Sequence, residues 1–152
     1  VVWNIIIFKQ RLSSTLNRLR EAYGIACNLS VEELTSYLEA PSYENDTLSV
    51  AEILGDELLL LHEVAEACIL KAQGYAISRN AVISAYPDTY RAHLQAMEVE
   101  LEEATRRGLS HHRDMRCRDL ASYLEDPMLP EELRPKVYSL LEKYCHSSGK
   151  QA

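Results

Sequence analysis

Leu58 to Lys71 reads LLLLHEVAEACILK. Apolar residues return at every three or four positions, so the segment is a helix, and its apolar face is too broad for a helix that lies on a surface. At 100° per residue, Leu54, Leu58, Leu61, Ala65, Cys68 and Ile69 fill one wide arc. Glu52, Asp56 and Glu63 fall on the opposite side. His62 and Glu66 lie one turn apart on the border between the two, where a polar side chain is neither forced into the core nor freely solvated.

Outward from this stretch the chain reads as all-α. SVEE (Ser30–Glu33) and SVAE (Ser49–Glu52) both have the capping-box form, in which a serine and a glutamate three residues on satisfy free amides at a helix start. The first opens a short helix that stops before Pro41, and the second opens the long helix ending at Gly74. Before them, Asn4 to Tyr23 forms a helix with Ile6, Leu12, Leu16 and Leu19 as its apolar positions and Gly24 at its end. PSYENDT (Pro41–Thr47) is a loop.

After Gly74, Ser78 caps a helix that Pro87 kinks or divides, and the pattern continues to Arg107 with Gly108 in the position after the cap. Ser110 caps a fifth helix reaching Asp126, and a sixth covers about Glu131 to Tyr144 with Pro135 in its first turn. No run alternates as a strand does. The expected fold is one helical bundle of about six helices over residues 1–146, followed by a frayed tail at 147–152. LTSYLEAP (Leu34–Pro41) and LASYLEDP (Leu120–Pro127) agree at six of eight positions, and two similar helix stops explain the echo.

The 152 residues suit one domain, and 47% hydrophobic content allows a real core. A net charge of −7 repels phosphate backbones, so nucleic acid is not an expected partner. VVWNIIIFK at the N-terminus is too short to cross a bilayer, and no small-residue cleavage pattern follows it. No membrane association is expected, and the expected compartment is the cytoplasm. Trp3, Ile5, Ile6, Ile7 and Phe8 exceed what one helix stripe needs, which makes this segment the candidate surface for a homo-oligomer. Cys27, Cys68, Cys117 and Cys145 form no C-x-x-C pair and no zinc-ribbon spacing, and buried free thiols are the expectation.

The second long helix repeats the pattern of the first. Tyr90, Leu94, Met97, Leu101 and Ala104 form its apolar arc, with His93 and Glu100 at the border. If the two helices run as an antiparallel hairpin, His62 stands about 16 Å from the turn and His93 about 21 Å, roughly one turn apart. The two meet if Pro87 kinks the chain without redirecting it. His62, Glu66 and His93 would then make a two-histidine, one-carboxylate set suited to zinc, manganese or iron, with Glu63 placed to orient water or act as a general base. The motif is H-E-x-x-E and lacks the second histidine of the H-E-x-x-H zinc-protease signal. Without a metal, His62 and Glu66 form an i,i+4 hydrogen-bonded pair.

Glu63-x-x-Glu66 also resembles the first half of the magnesium motif in all-α nucleotide pyrophosphohydrolases of the MazG type. That resemblance implies magnesium held between paired acidic turns, and the second turn here would be Glu100-x-x-Glu103, without the family's aspartate. A solvated acidic face is the other reading of Glu98, Glu100, Glu102 and Glu103. SHHRD (Ser110–Asp114) is similar to the His-Asp pattern of metal phosphohydrolases, but Arg113 interrupts the adjacent pair. His111 and His112 are therefore expected at the surface, with Asp114 favourable to the helix dipole. Finally, the Glu/His helix with Lys71 and Gly74, YRAHLQAMEVELEEA (Tyr90–Ala104) and YLEDPMLP (Tyr123–Pro130) together resemble a group of small archaeal helical proteins of unknown function. This resemblance implies an all-α fold and no activity.

Overall fold

A computed structural model describes residues 5–39 and 50–145. The loop at Pro41–Thr47, the Ser49 cap, Trp3 and the tail beyond Cys145 lie outside the described residues.

Among the described residues eight α-helices follow one another: α1 (Ile5–Tyr23), α2 (Val31–Leu38), α3 (Val50–Leu54), α4 (Glu57–Ala72), α5 (Ala81–Ser84), α6 (Asp88–Arg106), α7 (Ser110–Ser122) and α8 (Arg134–Leu140). Short 3-10 turns occupy Tyr123–Glu125 and Glu131–Leu133, and a π turn occupies Leu141–Cys145. No strand occurs among the described residues. Two of the six expected segments are divided, which accounts for the larger number. Gly55 breaks the long helix, and Asp56 restarts it by accepting from the amides of Leu58 and Leu59. Pro87 separates α5 from α6.

The Ser30 box forms as expected, with Glu33 answering the Ser30 amide at 3.0 Å. Gly74 and Gly108 adopt φ of 98° and 69° just past α4 and α6, the left-handed region where a side chain is strained. Ser110 does not cap α7; Leu109 holds that position and Ser110 is already helical. Pro135 stands in the first turn of α8, where its missing amide costs nothing. In α1 the buried side chains are Phe8, Leu12 and Leu19, while Ile6 is exposed, against the expected stripe.

α4 and α6 form the central pair. Glu57 meets Arg107, His62 meets Glu100, Glu66 meets His93 and Tyr75 meets Asp88, so the two run antiparallel. α6 divides the core. One apolar cluster joins α1 to α5 and takes Ala92, Ala96, Val99 and Ala104 from α6. The other takes Tyr90, Leu94, Met97 and Leu101 from α6 and adds Leu120, Tyr123, Leu133, Val137 and Leu140. A helix with an apolar cluster on either side is buried nearly all round, so its border residues lose access to water.

The cysteines are not free thiols. Cys27 bonds Cys68 and Cys117 bonds Cys145, with Cα atoms 5.5 Å and 5.7 Å apart. The first ties the segment after α1 to α4, and the second ties α7 to the C-terminal turn. Sequence spacing gave no sign of either, because both pairs are made by helix packing over separations of 41 and 28 residues. Among the described residues, no helix is long and apolar enough to cross a membrane.

Candidate metal centre

The polar residues of the α4–α6 seam are buried, not borderline. His62, His93 and Glu100 are at most 1% exposed and Glu66 is 4% exposed. Burial on this scale requires partners, and each residue has them. His62 Nε2 lies 3.1 Å from His93 Nδ1. Glu66 completes a triangle, with Oε2 3.3 Å from His93 Nδ1 and Oε1 3.9 Å from His62 Nε2. The three side chains can each offer a ligand atom within 4.8 Å of the others, so the group could hold a metal ion. Metal bonds of about 2.0–2.1 Å would set tetrahedral donor atoms about 3.3–3.4 Å apart, close to this triangle.

The two histidines meet although Pro87 divides the helix. The expected hairpin placed Pro87 inside the second helix. Here α6 begins only at Asp88, and the chain from Gln73 to Pro87 takes up the offset through the short α5. His93 then stands five residues into α6, in register with α4.

An outer set of residues fixes each ring. His62 Nδ1 donates to Glu100 Oε1 at 2.9 Å. Glu100 Oε2 meets His112 Nε2 at 2.5 Å and Arg116 Nε at 2.9 Å, both from α7. On the far side, His93 Nε2 lies 2.6 Å from the hydroxyl of Tyr123. Burial alone would raise the Glu100 carboxyl; the Arg116 charge, His112 and His62 outweigh it and hold it well below the usual carboxylate range. Burial pushes His62 below the usual histidine value despite the Glu100 hydrogen bond.

Several sequence expectations change here. Glu100 and Glu103 do not belong to a solvated acidic face, because both are buried against protein cations. Glu103 is forked by Arg18 at 3.0 and 3.1 Å, accepts from Tyr23 at 2.6 Å and from Arg107 at 2.8 Å. With Glu100 and Glu103 so engaged, the second acidic turn that a magnesium pyrophosphohydrolase would need is taken up inside the protein. His112 is not a surface residue but the link between Glu100 and α7, whereas His111 is exposed as expected. Glu63 is partly exposed and stands outside the His62, Glu66 and His93 group.

Two surface clefts flank this region. One, of about 500 Å³, lies between α1 and α4 and includes Ile7, Arg11, Leu54 and Arg107. The other, of about 550 Å³, runs from Asp56 to His112. None of His62, Glu66 and His93 lines either cleft. Comparison with family models, with curated proteins and with solved structures gives no match.

Proposed function

We propose that this chain binds one divalent transition metal through His62, Glu66 and His93. The observation that carries the reading is the double engagement of each imidazole. One nitrogen faces the common point between α4 and α6, and the other is held by Glu100 or Tyr123. Metal-bound histidines are ordinarily oriented in this way, by an outer carboxylate or oxygen on the second nitrogen. Two imidazoles and one carboxylate suit zinc, manganese or iron(II) and match poorly the all-oxygen preference of calcium and magnesium.

The ligand side chains are 0–6% exposed, which supports a fixed ion bracing α4 against α6 rather than a turnover site. Glu63 has no part in this reading. Calorimetric titration of metal-free protein with zinc, manganese and iron(II) tests it. One site per chain is expected, with a loss of tenfold or more in Glu66→Gln and His93→Ala. Equal binding by both variants and the wild type would refute it.

A second reading has its own observation. Ile5, Ile6 and Ile7 are 52%, 61% and 41% exposed at the start of α1, an apolar patch that a second copy of the chain would cover. Solution mass decides it: a dimer that disperses on Ile5→Ser with Ile6→Ser supports self-association, and a monomeric wild type removes it.

A further inference from the structure

With both imidazoles in their neutral form, the hydrogen bonds from Glu100 through His62 and His93 to Tyr123 take one consistent direction in the metal-free chain. Arg116 Nε stands 2.9 Å from Glu100 Oε2, which marks Glu100 as the accepting carboxylate, and His62 Nδ1 donates to its other oxygen across 2.9 Å. As an imidazole whose hydrogen is on Nδ1, His62 then has only a lone pair on Nε2. That nitrogen faces His93 Nδ1 at 3.1 Å, so His93 Nδ1 carries the hydrogen and donates. Glu66 Oε2, 3.3 Å from the same His93 nitrogen, faces this hydrogen as a second acceptor. With the ring hydrogen on Nδ1, His93 Nε2 becomes an acceptor, and the Tyr123 hydroxyl at 2.6 Å is its donor.

A metal at the shared point requires the reverse at one residue only. His62 Nε2 already presents its lone pair. His93 faces the point through Nδ1, which must give up its hydrogen to become a ligand. For the ring to stay neutral the hydrogen has to sit on Nε2, and there the Tyr123 oxygen is the group within reach. Resting on the metal-binding reading, we propose that metal loading switches His93 from its Nδ1–H to its Nε2–H tautomer and turns Tyr123 from donor to acceptor. Tyr123 is thus the positioning residue that holds His93 in its ligating form.

The step balances without a co-reactant. One N–H bond breaks at Nδ1 and one forms at Nε2, so the number of hydrogens on the ring is unchanged. Tyr123 is 4% exposed, with its ring edge-on to His93 at 5.2 Å and to Tyr90 at 6.0 Å. Phenylalanine would keep those ring contacts and remove the hydroxyl alone. A donor left buried without its acceptor disfavours the ligating tautomer.

The test is nitrogen-15 NMR of the histidine side chains in the full chain, metal-free and after addition of zinc, for the wild type, Tyr123→Phe and Tyr90→Phe. In metal-free wild type, His93 should show a protonated Nδ1 and an unprotonated Nε2. Zinc should invert them, moving the Nδ1 resonance and protonating Nε2. Tyr123→Phe should bind zinc about 10- to 100-fold more weakly. Tyr90→Phe, which removes a hydroxyl that donates to Asp126 at 2.8 Å, should keep wild-type affinity.

An Nε2 that is already protonated without metal, zinc seated on Nε2, or unchanged zinc affinity in Tyr123→Phe would overturn the tautomer switch while leaving metal binding in place. No response of His62 or His93 to zinc would remove both.

Discussion

His62 Nε2 and His93 Nδ1 face each other at 3.1 Å across the seam of α4 and α6, inside a layer closed to water. Such a layer is costly unless every polar group in it is satisfied. The arrangement meets that cost through Glu100, which binds His62 with one oxygen and the α7 side chains His112 and Arg116 with the other.

Glu100 is accordingly the residue whose loss the fold should feel most. Glu100→Ala removes the buried carboxylate beside Arg116, whose guanidinium keeps its pair with Asp119 at 2.8 Å, and leaves His62 Nδ1 without its acceptor. Breaking a buried charge pair from one side costs about 3–5 kcal/mol. Urea unfolding should show a loss of that order, while Glu98→Ala, at a half-exposed pair with Lys136, should cost no more than about 1 kcal/mol.

Glu103 contributes to the response to acid. Burial would raise its carboxyl, but the Arg18 hydrogen bonds, with those of Tyr23 and Arg107, hold it down at about 2. A carboxylate whose value is lower when folded contributes stability that is complete above its unfolded value, about 4.3, and is lost as the pH falls toward the folded one. Unfolding free energy should therefore decline between about pH 5 and pH 2. In Arg18→Ala this decline should be shallower and the stability at pH 7 lower. An unchanged acid limb in that variant would argue against the pairing.

The two disulfides close loops of 41 and 28 residues. Chain-entropy arguments give each about 3.5–4 kcal/mol. Oxidised protein should show no free thiol, and reductant or paired Cys→Ser changes should lower thermal stability in two separable steps. Four reactive thiols in denatured, unreduced protein would contradict this.

Asp56 restarts α4 after Gly55, so Asp56→Ala should cost about 1 kcal/mol by chemical denaturation, with Asp56→Asn close to neutral.

Much of this organisation can be read from residue order. His62 and Glu66 are one turn apart on an apolar helix, His93 sits at the matching border of the next, and an antiparallel pairing brings them together. Their depth is not legible in either helix alone. A helical wheel places Glu100 at a border, and only the second apolar cluster, built by α7 and α8, encloses it. His112 is invisible for the same reason, since its role depends on how α7 crosses α6. Gly55-Asp56 was a local break signal that the strong apolar run around it outweighed. The cysteine pairs depend wholly on tertiary packing.

The most direct test is elemental analysis of untagged protein purified without chelator, beside Glu66→Gln and His93→Ala. The account predicts close to one zinc, manganese or iron atom per wild-type chain and a loss of most of it in both variants, with folding checked by circular dichroism. Wild-type protein that takes up no transition metal, even after incubation with each ion, would leave the His62–His93 layer as a purely structural hydrogen-bond network and contradict the central claim.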